Sequence, residues 1–600
     1  MKVLSQLALP LLDCLIIALC FIVCGWLVNA PTILYYELLL FEAIFLGTLL
    51  SGRVYSISVG HFGVSALPPI SLSALLSGLT VFWLRDFSDL EYVFLVSLTC
   101  SCTIVLARLL VREMKYNDRQ THAVNTLVYG AGVAGVQFLT AAMQGDRYNI
   151  IAFIDDETDL FGKSIHGRRV FPAREIDRLI NERGITTIVL ALPSVSKSRR
   201  SAILEELLEL PVRVLSVPNL QEILEGRSNV DDTQEVSIED LLDRETIQPD
   251  LALLKQTVLG KNILVTGAGG SIGSEICRQL ACLNPKSLIL LEISEPALFR
   301  VEQDLTNHCE VLTHYILGSV LDEDLLSHVF AEHEIDSVFH AAAYKHVPLV
   351  EANPKAGFIN NVIGTTAVLR ASLEADCSSF TLVSTDKAVR PTNIMGATKR
   401  LAELICQAEA KYSSSTTISM VRFGNVLGSS GSVIPTFRKQ IAQGGPVTLT
   451  HEDITRFFMS IPEAAQLVIQ SSAIAKGGDL FLLDMGKAVK IYDLARRLIR
   501  LSGKTVAVPG TRASGPGDIE IRVTGLRPGE KLYEELLIDE LSETTQHPKI
   551  MRAVEPALDS SKLKTIISEL SAALDADELD RFREQLSAAG IGYRTPSHCD

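Results

Sequence analysis

The sequence predicts a chain in three parts: an N-terminal region of four membrane-spanning helices, then two α/β domains, the second a doubly wound parallel sheet. Three observations predict this. The first 113 residues hold four apolar stretches of near-bilayer length. Two glycine-rich turns, at 130–135 and 267–273, each follow an apolar strand and open a helical pattern. After each turn, short apolar runs alternate with amphipathic stretches, the pattern of a parallel sheet covered by helices.

Composition agrees. Six hundred residues exceed one hydrophobic core. Mean hydropathy is +0.26, yet 21% of residues are charged. Together these describe a segregated chain, part facing lipid and part facing water. A net charge of −15 argues against a nucleic-acid groove, which needs a surplus of Lys and Arg. It leaves room for a nucleotide diphosphate, which backbone N–H groups and a few cations can hold. The eleven cysteines are scattered without a C-x-x-C pair, so they read as reduced packing residues with no metal site.

The apolar stretches cover roughly 8–29, 34–50, 63–84 and 92–110, within a region 1–113. The first runs through Trp26 and Leu27 without a small-x-small cleavage site, so it reads as an anchor and not a removed leader. Asp13 in the first and Glu37 and Glu42 in the second leave the depth of those two open. The alternative for the region is a buried helical domain. Arg108, Arg112, Lys115 and Arg119 cluster around the end of the fourth stretch, which the positive-inside rule puts in the cytoplasm. Four spans then put the N-terminus there too. Residues 114–125 read as a short exposed connector.

Thr126–Tyr129 is a strand leading into Gly130-Ala-Gly132-Val-Ala-Gly135. Strands at 150–154, ending at Asp155-Asp156, and at 187–192 complete a small Rossmann-like domain over 124–225. Its glycines either hold a phosphate or only let helix pack on strand, and both readings stay open. Residues 226–258 are acidic and irregular, a linker with one short helix.

The last domain covers 259–600. Asn262–Thr266 enters a turn with glycines at 267, 270 and 273 and with Ser271 and Ile272 between the last two. Such a turn lets backbone approach a pyrophosphate at a helix N-terminus, where the dipole favours anions. The next strand ends in Glu292, whose carboxylate can hold ribose hydroxyls and repels a 2′-phosphate, so NAD is favoured over NADP. Strands at 337–340, 380–384 and 418–422 follow. Ligands of doubly wound sheets sit at strand C-terminal ends, so the informative loops are 341–348, 384–399 and 422–435.

These motifs resemble the extended short-chain dehydrogenase/reductase family. More narrowly, they resemble its membrane-bound nucleotide-sugar 4,6-dehydratases of polysaccharide and glycan assembly. The residues that carry the resemblance are Thr266–Gly273, His340-Ala-Ala-Ala-Tyr-Lys-His-Val-Pro348, Asn361–Thr365, Ser384-Thr-Asp-Lys-Ala388, Met395-x-x-x-Lys399, Arg422–Leu427, Thr455–Phe458 and Arg527-Pro-Gly-Glu-Lys531. The wider family has Tyr-x-x-x-Lys. Its phenol takes a proton from the hydroxyl being oxidised, and Met395 cannot. The membrane-bound dehydratases share this replacement, whereas an epimerase or reductase is expected to keep the Tyr. Ser319 also departs from a usual Asp, so no adenine contact is assigned there.

The resemblance implies three steps: oxidation of a hexose at C4 by NAD, loss of water across C5–C6, and return of the hydride to C6. It implies that Thr385 holds the C4 oxygen, that Asp386 is the acid at C6, and that Lys387 is the base at C5 or its partner. Lys399 would bind the nicotinamide ribose and bring positive charge near the C4 alkoxide. Ala341 and Ala342 would join the cofactor contacts. Lys345 and His346 would line the sugar pocket, Arg456 and Arg527 would pair with the diphosphate, Glu530 with ribose, and Asn425 with uracil or phosphate. Acid work asks for a raised Asp386 pKa and base work for a lowered Lys387 pKa. Adjacent opposite charges push the other way, so the pair is expected to titrate as one unit. The expected substrate is a UDP-N-acetylhexosamine, first of all UDP-N-acetylglucosamine, and the expected setting is the cytoplasmic face of the inner membrane, with several passes through the bilayer. The alternatives are a UDP-sugar epimerase, a C5-inverting dehydratase or, from another class, a membrane scaffold that binds a nucleotide sugar without turnover. Sugar epimer, C5 stereochemistry, homo-oligomer formation and the roles of the spans and the small domain stay open at this stage.

Overall fold

The computed structural model describes residues 2–28, 35–52, 54–56, 66–85, 90–143, 145, 147–193, 195–217, 233–236, 249–308, 310–429, 431–507, 518–536 and 542–594. Four N-terminal helices, α1 (Lys2–Leu27), α2 (Tyr35–Ser51), α3 (Leu67–Leu84) and α4 (Leu90–His122), form a bundle. Three contain stretches long and apolar enough to cross a membrane: Leu9–Leu27, Leu67–Leu84 and Leu90–Leu110. The second apolar stretch, expected over 34–50, forms α2, whose 17 residues reach about 26 Å. The outer faces carry exposed Leu15, Leu39, Leu75 and Leu98, an apolar surface suited to lipid. Inside, Phe21 meets Phe41 and Tyr92 edge to face.

Two acidic residues of the bundle, Asp13 and Glu37, are buried and paired. Asp13 Oδ2 lies 2.6 Å from Arg108 of α4 and accepts the Tyr55 hydroxyl at 2.7 Å. Glu37 accepts two hydrogen bonds from Arg85, at 3.1 and 2.9 Å. Pairing inside a bundle is what makes charge tolerable at membrane depth. A correction concerns residues 114–125. They form no separate connector, because α4 runs on to His122 and the next strand begins at Val124. Arg112, Glu113, Lys115 and Arg119 are good helix formers, and no Gly or Pro interrupts them.

The small domain is a sheet whose parallel part runs Arg168–Pro172, Tyr148–Asp155, Val124–Tyr129, Thr187–Leu190, Arg213–Ser216. Antiparallel edges are added by Ser164–Ile165 and Gln234–Glu235. That last strand lies in the segment expected to be linker, and Val236 beside it is buried in the small domain's core. The same expected linker also yields the helix Leu251–Val258. Its Leu254 and Val258 pack into the core of the large domain, because they recur at helical spacing on one face. The rest of the expected linker, 226–232 and 237–248, falls outside the described residues. The two α/β domains meet at the helix Ile491–Leu501. Arg497 pairs with Glu205 at 2.8 Å, Arg500 pairs with Glu209, and Leu501 inserts into the small domain's core.

The large domain holds a nine-stranded sheet in the order Thr313–Leu317, Ser287–Glu292, Asn262–Thr266, Ser337–His340, Ser379–Val383, Thr417–Arg422, Asp479–Leu483, Ile550–Ala553, Ser542–Thr544. The first seven are parallel, Ile550–Ala553 runs antiparallel to them, and Ser542–Thr544 pairs antiparallel with it. Alternate residues of one strand feed opposite faces: Leu264 and Val338 join one core, Val265 and Phe339 the other. Strands buried on both faces need continuous apolar runs, which is how they read in the sequence. Strand order reverses beside Asn262–Thr266, with Ser287–Glu292 on one side and Ser337–His340 on the other. That reversal opens a crevice beyond the strand ends.

Candidate active site

A cleft of about 870 Å³ lies along this crevice. One end is built by the glycine turn. Gly267 has φ +66°, and a Cβ there would come 2.6 Å from the Ala342 nitrogen, so the turn can press against Ala341–Ala342 only as glycine. Gly270 caps the helix Ser271–Ala281, and Gly270, Ser271, Ile272, Gly273 and Ala341 face the cleft. Gly267, Ala342 and Glu292 stand behind that wall. Buried Glu292 accepts the Gly269 and Ser294 N–H groups, both at 2.9 Å, one on each oxygen. Each oxygen keeps a lone pair for a ribose hydroxyl. Helix N-terminus, glycine cradle and carboxylate thus fit a dinucleotide.

The middle of the cleft holds the residues expected to do the acid–base work. Asp386–Ala388 is a single turn capped by Thr385. Against it rests the helix Ile394–Ala410, and a Cβ at Gly396 would overlap the Lys387 carbonyl oxygen. This close approach brings Met395 and Lys399 to the same wall as Thr385 and Lys387. Asp386 is wholly buried. Its Oδ1 accepts from Thr385 Oγ1 at 2.9 Å and from Lys387 Nζ at 3.0 Å, while Oδ2 has no hydrogen bond and lies against Gly424 of the cleft wall. Lys387 Nζ also donates to Asn425 Oδ1 at 3.2 Å and lies 3.5 Å from Glu534 Oε1.

Burial pulls the Lys387 pKa down, but Asp386 and Glu534 outweigh burial and hold the ammonium above its ordinary value. A lowered Lys387 pKa, as a resting free base would need, is therefore not what the site provides. Asn425, expected on uracil or phosphate, lines the cleft and turns its carboxamide oxygen to Lys387. Lys399 does behave as a perturbed amine: burial lowers its pKa to about 8, against an opposing pull from Glu403. Met395 is buried at the wall, so no phenol is present at that position.

Beneath the site lie groups to which the sequence reading gave no role. His340 is buried between Thr266 Oγ1 at 2.7 Å and Thr365 Oγ1 at 2.9 Å, and burial, with help from the Lys399 charge, pushes its pKa to about 3. It is a neutral bridge at the strand ends. Glu403, Arg422, Arg400 and Glu555 form a buried quartet, and Ser384 donates to Glu403 at 2.6 Å. Burial raises the Glu403 pKa, but Arg422 and Arg400 overcome it and bring it to about 2. The one sequence signal was Arg400 and Glu403 at i, i+3 on an otherwise apolar helix face.

The other end of the cleft is polar. Lys345 and His346 line it, and burial lowers both pKa values, with the Lys345 charge adding to the effect at His346. Their loop is pinned by buried Asn361, which accepts from the Tyr344 nitrogen at 2.8 Å and donates to the Tyr344 oxygen at 3.0 Å. Arg456, Arg527 and Glu530 gather at the same wall. Arg456 Nη2 lies 3.4 Å from Glu530 Oε1 and its Nε 3.7 Å from Glu534 Oε1.

Comparison with known proteins follows this division. Residues 263–555 match the family model described as polysaccharide biosynthesis protein. The chain is 40% identical over 462 residues to the capsular polysaccharide biosynthesis protein CapD of Staphylococcus aureus, covering 76% of this chain and 75% of that one. It is 32% identical over 303 residues to a UDP-N-acetylglucosamine 4,6-dehydratase (inverting) of Campylobacter jejuni, covering 50% and 84%. It is 34% identical over 289 residues to a UDP-glucose 4-epimerase of Rickettsia typhi, covering 47% and 78%. A likeness of this strength across three quarters of two chains makes this protein a member of the polysaccharide biosynthesis protein family, a helical membrane region joined to an extended short-chain dehydrogenase/reductase domain.

Proposed function

We propose that the protein removes water from a UDP-N-acetylhexosamine, first of all UDP-N-acetylglucosamine, to give a 4-keto-6-deoxy sugar nucleotide. The observation that carries this is the buried Asp386 bonded by Thr385 and Lys387, which line the cleft beside a buried Met395 in place of a phenol. A 4-epimerase needs no acid–base pair at C5 and C6, whereas a dehydratase does. A bound NAD supplies the acceptor and later the donor of hydride. The turn at 267–273 holds its pyrophosphate, Glu292 its adenine-side ribose, and Lys399 its nicotinamide ribose.

The Thr385 hydroxyl positions the C4 oxygen and passes its proton toward Asp386 Oδ1. Asp386 and Lys387 then act as one pair. The pair takes protons from O4 and C5 and delivers protons to the leaving O6 and back to C5, so it ends the cycle as it began. Arg456 and Arg527 pair with the diphosphate, and Glu530 accepts from the uridine ribose. Binding remote from the reacting carbons fixes their position. The bundle crosses the inner membrane with both α/β domains in the cytoplasm, which places the basic residues Arg108, Arg112, Lys115 and Arg119 on the cytoplasmic side.

The test is hydride bookkeeping. Substrate carrying deuterium at C4 should yield product lighter by one water, with deuterium at C6 and a solvent proton at C5. Mixed labelled and unlabelled substrates should show no crossover. An isomer of unchanged mass would make the protein an epimerase, and stoichiometric NADH release would make it a dehydrogenase.

A further inference from the structure

Glu534 lies four residues beyond Glu530 in the run Glu530-Lys-Leu-Tyr-Glu534. Its side chain is 3% exposed. Oε1 lies 3.5 Å from Lys387 Nζ and 3.7 Å from Arg456 Nε, and Oε2 is buried without a hydrogen-bond partner. A buried carboxylate with half its acceptors unmet is costly, and a neighbouring cation offsets that cost. The cation it meets is the one in the acid–base pair.

The surroundings of Lys387 Nζ specify a proton count. Three oxygens face it, from Asp386, Asn425 and Glu534. An ammonium has three hydrogens to give, whereas a neutral amine has two and a lone pair that would face an acceptor. Of the three oxygens, that of Asn425 is neutral. The charged groups facing the amine are Asp386 on its own turn, Glu534 from the C-terminal segment and Arg456 from the strand Thr455–Arg456. Asp386 alone makes a pair in which one proton can rest on either member. A second carboxylate moves that proton to the lysine.

We propose that Glu534 is a positioning residue that keeps Lys387 loaded with a proton between turnovers, so that the Asp386–Lys387 pair begins each cycle in one defined state. This rests on the dehydratase reading for its purpose, but not for its test. Glu534 meets Lys387 and Arg456 and has no assigned contact with the sugar. It acts through Lys387.

The proton state of Lys387 can be read without turnover. Full-length protein is exposed to trace acetic anhydride across a pH series, and acetylation of Lys387 is followed by peptide mass spectrometry. The amine reacts only when neutral, so the midpoint reports its pKa. Glu534→Gln keeps shape and removes charge, and should move the midpoint down by about 1–3 pH units. Glu534→Asp should restore part of the shift. If turnover is also measured, its Lys387-dependent pH limb should move by the same amount. An unmoved midpoint in Glu534→Gln overturns the proposal. If that variant does not fold, a wild-type midpoint in Glu534→Asp together with an unchanged pH–rate profile overturns it equally. Failure to form a dehydrated product would instead count against the dehydratase reading alone.

Discussion

Arg422 grips Glu403 with two parallel hydrogen bonds, Nε to Oε1 and Nη2 to Oε2, each 2.7 Å long and both side chains wholly buried. With Arg400 and Glu555 they make a quartet whose charges cancel. Removing one carboxylate leaves a surplus cation in the interior. Glu403→Gln should therefore cost about 3–5 kcal/mol, the range found when one member of a buried pair is removed. The check is the denaturant midpoint of the large domain. A variant with the wild-type midpoint would show that the quartet carries little stability.

His340 should make stability fall with acid. In the folded chain its pKa is near 3, against 6.5 in the unfolded chain. Between those values only the unfolded state binds the proton. Stability therefore drops by about 1.4 kcal/mol for each pH unit below 6.5. A His340→Asn protein lacks this dependence, so its midpoint and that of the wild type should converge as pH is lowered from 7 to 5. Parallel curves would contradict the neutral ring.

Asp386→Asn keeps an oxygen for Thr385 and Lys387 to bond and removes the proton carrier. Product formation should slow by on the order of a hundred- to ten-thousand-fold, the usual worth of a positioned acid or base. Oxidation at C4 should slow as well, because Asp386 receives the O4 proton, so enzyme-bound NADH should not build up ahead of product. Wild-type turnover would remove Asp386 from the acid–base pair.

A chain beginning at Gln248 keeps the helix Leu251–Val258 on the large domain, with the Asp250 nitrogen donating to Gln470 at 3.1 Å. It also keeps every group of the cleft. It should be soluble and active. Its thermal midpoint should fall below that of the full chain, because Leu501 becomes exposed and Arg497 and Arg500 lose their partners. A folded, NAD-binding but inactive product, beside an active full chain, would place a required group upstream.

Some of this was legible from the residues alone. The turn at 267–273 could be read because its glycines answer local needs, a positive φ and a close backbone approach, which no other residue meets. The apolar strands were legible because burial on both faces leaves no alternation to misread. The partners of Lys387 were not. Asn425 and Glu534 reach it from 38 and 147 residues further along the chain, counting from 387. Nothing in local composition distinguishes Glu534 from Glu535 beside it, which is half-exposed and pairs with Lys531. Only the return of the chain across the strand ends separates them. The connector at 114–125 was misread for the opposite reason: polar residues suggested a loop, where helix propensity alone continues α4.

The ion pair between Asp13 and Arg108 has a consequence for how the protein is made. The two residues are 95 apart in sequence. At roughly 5–20 residues per second, the ribosome reaches Arg108 about 5–20 s after Asp13. Through that interval the first helix carries a carboxylate whose partner does not yet exist, and an unpaired carboxylate is costly inside a bilayer. The first helix is thus a poor tenant of lipid on its own. Its settlement in lipid is expected to be complete only once the last helix of the bundle supplies Arg108.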